Sequence, residues 1–427
     1  MKREMLEKVH NAHKNLIVNG DISVGKTKNV ILPLVKEMID NKESIVFLDS
    51  KEEYLHKYYN DFKEKDYNII ILNFRDLDKS EGWNPLEYPY KLYKEGNKDR
   101  ANDYLDKIGR AMFYEGDSQD PFWSNSASDF FTGVTLGLFD DGEYSQVNLN
   151  SVNAMFNGIN KRYGSSDYLT KYFDLKDKNS SAYTYASGSC YSPKETRGGI
   201  LSVVKQRLNV CTSREKLSFL LGKTTFDFDL ITQKPTVFFV IGKDENKNKN
   251  VIPTMFIEQL FEILLDKNSN RQYNFILDNF DTIENINSLS DMLSSGLSRK
   301  IKFVIGTRSV NDVIKKYGDY LSKLCNFVYV DNKKIELNLD GDKIIEDNLF
   351  EDIDESIGNV NYPKLENNKI GLFDLNKYVI DNVKEYNKES TEKKETNSSF
   401  PDYSVDELIS RIDDKIAELD RAEDNKK

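Results

Sequence analysis

Short apolar runs alternate with amphipathic stretches along the first hundred residues. NLIV (15–18), SIVFLD (44–49) and NIIILNF (68–74) are continuous apolar runs of strand length. Between them, NVILPLVKEMIDN and EEYLHKYYNDFKEK carry apolar residues at helical spacing. Apolar strands separated by helices of about 10–15 residues predict βαβ units and a parallel sheet.

From about Asn97 to Leu217 the pattern changes. ANDYLDKIGRAMFY, SASDFFTGVTLGLF, NLNSVNAMFNGINKRY and GGILSVVKQRLNV repeat apolar residues every three or four positions, with no convincing strand among them. Strands resume at TVFFVIG (236–242), NFILDNF (274–280), KFVIGT (302–307) and NFVYV (326–330), separated by the helical IPTMFIEQLFEILLD and VNDVIKKYGDYLSKL. The expected organisation is a discontinuous α/β domain, residues 1–96 and 218–384, interrupted by an all-α insertion over 97–217. EYNKESTEKKETNSS lacks large aliphatics and reads as a flexible linker over 385–402. Behind it, 403–422 is an amphipathic helix, with a Ser404/Glu407 capping box and a Leu408, Ile412, Ile416, Leu419 stripe. Such a helix docks on a partner or a neighbouring subunit, or packs back on its own domain.

Composition narrows the function. The 427 residues suggest two or three domains and a core that needs no staples. Three cysteines, none at metal-ligand spacing, favour a reducing compartment. A net charge of −11 excludes a protein that coats a duplex by bulk charge, but leaves room for a local basic lining such as the inside of a ring. Mean hydropathy is −0.62, and no run of about 18 apolar residues offers a spanning helix.

The chemistry starts at GDISVGKT. Gly20, four residues, then Gly25, Lys26 and Thr27 match the P-loop pattern G-x-x-x-x-G-K-[ST], between a predicted strand and a helix. Gly20, Ser23, Gly25, Lys26 and Thr27 form the candidate nucleotide site. Backbone N–H groups surround phosphate oxygens, Lys26 reaches the terminal phosphates, and the Thr27 hydroxyl takes a position on Mg²⁺. Such a site needs an acid at a neighbouring strand end, and NFILDNF supplies Asp278. The next residue is Asn279, where many hydrolysing P-loop ATPases carry glutamate; an amide orients water but takes no proton from it. Asp281 and Glu284 follow closely. Arg299 precedes the next strand and is either a surface charge or a subunit-edge arginine aimed at a neighbour's γ-phosphate. Thr307, Arg308 and Ser309 end that strand, where P-loop motors place a γ-phosphate sensor. His10-x-x-His13 alone is too little for a metal site.

In this order the segments resemble the coupling proteins of type IV secretion and conjugation systems, the TraG/TraD-like class. The resemblance runs through NAHKNLIVNGDISVGKT, FLDSKEEY (an Asp-x-Lys-x-Glu element made by Asp49, Lys51 and Glu53), NFRDLDKSEGWNPL and DPFW (120–123). It continues through KETRGGILS, KPTVFFVIG, ILDNF, LSRKIKFVIGTRSVNDVIKKYG and DELISRIDDKIAELD. It implies a RecA-like P-loop motor domain with an all-α insertion, ATP and Mg²⁺ as cofactors, and assembly as a homo-hexamer. Implied partners are single-stranded DNA, relaxase and type IV secretion channel components at the membrane. The expected catalytic set is Lys26, Asp278, Asn279 and Arg299, with Thr27 and Asp278 on the metal; the insertion selects cargo.

Three departures accompany the resemblance. Relatives begin with membrane-spanning helices, whereas this sequence starts close to the P-loop strand. Asn279 stands where glutamate is expected, and Thr307 and Arg308 stand where relatives carry a glutamine. The expected location is cytoplasmic, at the inner face of the membrane. Alternative functions are a non-hydrolysing ATP-binding adaptor and a DNA pump of the FtsK/HerA group.

Overall fold

In the computed structural model of the chain, residues 1–21, 24–113, 120–242, 251–283, 286–331, 334–347, 360–363 and 370–383 are described. The apolar runs become β1 (Asn15–Asn19), β2 (Ser44–Leu48), β3 (Asn68–Asn73), β6 (Thr236–Ile241), β7 (Tyr273–Leu277), β8 (Ile301–Thr307) and β9 (Cys325–Asp331). They lie side by side in the order β9-β1-β8-β7-β2-β6-β3, every pair parallel. All six residues of β6 and all five of β2 and β7 are buried, as expected for parallel strands covered on both faces.

Helices α1 (Arg3–Asn11), α2 (Leu32–Asp40) and α3 (Glu53–Glu64) supply residues to a core shared with the sheet. There Phe47 stacks on Phe239 at 5.2 Å and on Tyr54 at 4.8 Å. A second aromatic layer is formed by Phe275 stacked on Phe303 at 4.8 Å and Phe261 beside both. Each such buried ring contributes about 1.5–3 kcal/mol relative to exposure.

Between β3 and β6 the chain is helical over α4 (Glu87–Lys94), α5 (Lys98–Phe113), α6 (Phe122–Asp141), α7 (Leu149–Asn157), α8 (Tyr168–Asp174), α9 (Ser181–Cys190), α10 (Lys194–Thr212), α11 (Glu215–Leu220) and α12 (Leu230–Gln233). The expectation of an all-α segment needs correction. After α7 the chain forms a small antiparallel hairpin, β4 (Arg162–Tyr163) and β5 (Ser166–Asp167). Its two-residue turn begins at Gly164 with φ +62°, the geometry that closes a tight hairpin.

After β6 the helices include α13 (Val251–Lys267), α14 (Leu289–Gly296), α15 (Val310–Tyr317) and α16 (Leu321–Leu324). Past β9, the strands β10 (Lys334–Leu339) and β11 (Asp342–Asp347) add antiparallel to the edge, giving nine strands in the sheet among the described residues. The turn between them, Asp340–Gly341, has both residues at positive φ, +52° and +99°. Met1–Leu375 is one compact unit, and Asn376–Lys427 is a second. The expected linker and C-terminal helix, 385–402 and 403–422, lie outside the described residues.

Candidate nucleotide site

The C-terminal ends of β1, β8, β7 and β2 converge on one edge of the sheet, the edge where open α/β sheets bind ligands. β1 leads into the P-loop. Gly25 has φ +80°, a conformation glycine adopts without strain. Lys26 and Thr27 then enter a π-helical turn, Thr27–Ile31, in which the Leu32 N–H donates to the Thr27 carbonyl five residues back. Pro33, at the start of α2, has no N–H to give an ordinary helical turn.

Asp278 directly follows β7 and is 4% exposed. The Thr27 hydroxyl donates to its Oδ2 at 2.6 Å, the Tyr54 hydroxyl to the same oxygen at 2.9 Å, and the Asn279 N–H to Oδ1 at 2.8 Å. The sheet register thus joins the P-loop to an acid 251 residues away. Gly306, on the neighbouring strand, faces this carboxylate so closely that a Cβ there would lie 2.1 Å from Asp278 Oδ1. Burial first, and then the Asp278 charge, raise the Tyr54 phenol well above its ordinary pKa. The phenol therefore stays a donor.

Tyr54 is held in turn by Asp49. The Asp49 carboxylate accepts the Glu53 N–H at 3.0 Å on Oδ1, and those of Tyr54 and Leu55 at 3.0 and 3.2 Å on Oδ2. It caps the first turn of α3, where four N–H groups lack helical partners. Burial pushes the Asp49 carboxyl up to about 7, against the three N–H bonds that favour its charged form.

On the other side of Asp278, Asp281 clamps the end of β8. It accepts the Thr307 hydroxyl at 2.7 Å, the Arg308 N–H at 2.8 Å and Arg308 Nε at 3.4 Å. A cleft of about 470 Å³ opens here, lined by Phe280, Asp281, Arg308, Ser309, Asp312 and Lys316 among others.

The structure therefore brings together Gly25, Lys26, Thr27, Asp278 and Asn279, with Gly20 hydrogen-bonded to the Thr307 carbonyl at 3.0 Å. Ser23 and Glu284 lie outside the described residues. Arg299 is exposed at the opposite end of β8. Seven strand residues separate it from this edge, about 20 Å at strand rise, so it does not reach the site of its own chain. Sequence reading missed the Tyr54 and Asp281 bonds. The signal for Tyr54 was its place directly after the Asp-x-Lys-x-Glu element. His10 hydrogen-bonds to Glu43 through Nε2 at 2.9 Å.

The residues fit a phosphate chain and a hard cation. Lys26 is 4% exposed, and no carboxylate among the described residues lies within ion-pair distance of it. Its ammonium is therefore free of an internal carboxylate partner and open to an anion. The Thr27 hydroxyl and Asp278 carboxylate are oxygen donors of the kind Mg²⁺ takes.

Sheet order, P-loop and strand-end acid define a P-loop nucleotide-binding motor fold. The profile of the type IV secretory system conjugative DNA transfer family matches residues 10–328, and the chain belongs to that family. Among solved structures, it resembles the bacterial conjugative coupling protein TrwBΔN70 in a trigonal form with sulphate. The TM-score is 0.55 at 15% identity, over 79% of this chain and 78% of that one. TrwB complexes with a non-hydrolysable ATP analogue and with ADP and Mg²⁺ give TM-scores of 0.54 and 0.53, each at 14% identity with the same coverage. These likenesses establish the fold. No curated protein matches. Among the described residues no helix is long and apolar enough to cross a membrane.

Proposed function

We propose that the protein is an ATP-driven coupling protein that brings relaxase-bound single-stranded DNA to a type IV secretion channel and drives its transfer. The observation that carries this reading is the Thr27–Asp278 hydrogen bond, which assembles P-loop and strand-end acid in a chain of the conjugative DNA transfer family. Gly20, Ser23, Gly25, Lys26 and Thr27 hold ATP, and Thr27 with Asp278 holds Mg²⁺. When bound, the ion neutralises charge on the phosphates as the γ-phosphoryl group transfers. Tyr54 and the Asn279 N–H keep Asp278 oriented, and Asp281 holds Thr307 and Arg308 beside the γ-phosphate position.

The motor domain comprises residues 1–96 and 218–384, and the inserted 97–217 selects cargo. The working form is a homo-hexamer, as the family resemblance implies, and in it Arg299 acts at a neighbour's site. Lysines and arginines lining the ring offset the acidic exterior, and the ring sits at the inner face of the membrane beside the channel. Asn279 favours a second reading, an adaptor that binds ATP without hydrolysing it.

The two readings separate on phosphate release by the purified chain, with and without single-stranded DNA, beside Lys26→Ala. DNA-stimulated turnover that Lys26→Ala removes is the expected result. ATP binding without turnover under either condition identifies the adaptor.

A further inference from the structure

Hydrolysis needs a group that takes a proton from the attacking water, and Asn279 has none to offer. Its backbone is left-handed, φ +52°, a conformation asparagine visits more readily than glutamate. Among the described residues, the carboxylates on the neighbouring strand ends are almost all committed. Asp278 accepts from Thr27, Tyr54 and the Asn279 N–H. Asp49 caps α3. Asp281 holds Thr307 and Arg308. Glu52 accepts from Asn73 Nδ2 at 3.2 Å and from the Tyr362 hydroxyl at 3.0 Å.

Glu53 differs from all of these. It opens α3, its own N–H is fixed by Asp49, and the next residue is bonded to Asp278. The backbone on both sides is therefore tied to the site. Its side chain is exposed to solvent, and its carboxylate makes no hydrogen bond or ion pair among the described residues. Partial desolvation and then the Asp278 charge raise its pKa, while Lys51 and Lys26 lower it. It thus lies within the fields of the acid and the lysine that flank the phosphates.

We propose that Glu53 is the carboxylate that accepts the proton of the water attacking the γ-phosphorus, in place of a residue at 279. The assignment rests on the ATP-hydrolysing reading above. The water oxygen bonds to the γ-phosphorus as the bond from phosphorus to the β–γ bridging oxygen breaks. The electron pair of that bond leaves with ADP, the water proton passes to a Glu53 carboxylate oxygen, and from there it goes to solvent.

The test measures ATP affinity and phosphate release on the full chain for the wild type, Glu53→Gln, Glu53→Asp and, as a neighbouring-carboxylate control, Glu52→Gln. Glu53→Gln is expected to lower kcat by about 10²–10⁴-fold with ATP affinity retained. Glu53→Asp should fall between it and the wild type, and Glu52→Gln should stay within a few-fold of the wild type. A Glu53→Gln variant that turns over ATP at the wild-type rate overturns the assignment alone, as does one that loses ATP binding together with turnover. A wild type that binds ATP but never turns it over overturns the hydrolysis reading, and this role with it.

Discussion

Asp278 has little freedom. Three donors hold its oxygens and a glycine backbone passes beside it, so the residues that look least chemical are the ones that fix the acid. Gly306→Ala tests this. The added methyl would meet Asp278 Oδ1 at 2.1 Å, and a clash of this kind in a packed interior costs about 1–3 kcal/mol. The expected outcome is a lower midpoint in urea unfolding together with weakened Mg²⁺-dependent nucleotide binding. Unchanged values in both would show that the strand gives way without moving the acid. The residue scale also explains a departure that looked purely functional: at 279 the chain needs a left-handed residue, and asparagine meets that need at low cost.

The element scale is where the sequence was most legible. The buried parallel strands announced themselves as unbroken apolar runs, and the P-loop sat at its expected strand–helix junction. What escaped was set by register or by turn chemistry. The Thr27–Asp278 and Tyr54–Asp278 bonds depend on which strands are neighbours, which a one-dimensional pattern does not encode. The β10–β11 hairpin was readable in its alternation and its Asp340–Gly341 turn, yet its residues follow the last strand recognised. The β4–β5 hairpin has two-residue strands, too short for any periodicity to show.

One contact at this scale carries a pH signature. His10 ties α1 to the residue preceding β2, and its hydrogen bond to Glu43 raises the imidazole pKa above 6.5, against the opposing effect of burial. A folded pKa above the unfolded value gives stabilisation that is fully present below about 6.5 and is lost as pH rises through the folded value. His10→Asn is therefore expected to lose most stability, relative to the wild type, near pH 6 and least near pH 9, as read from urea unfolding at both. An equal loss at both pH values would place the role of His10 in packing alone.

At the scale of the whole molecule, a largely parallel sheet brings distant segments of an acidic chain to one edge, and everything proposed for transfer depends on that edge holding a nucleotide. Arg299 lies at the far end of β8, so the role proposed for it requires a second subunit and links assembly to chemistry. The role proposed for Asn279 concerns turnover and not binding. Nucleotide binding at this edge is checked by calorimetric titration of ATP into the purified chain, with Mg²⁺ and with chelator, beside Lys26→Ala and Asp278→Asn. Saturable binding is expected that needs Lys26 and weakens when Mg²⁺ or the Asp278 charge is removed. Binding indifferent to all three changes, or no binding by the natural chain, would contradict it.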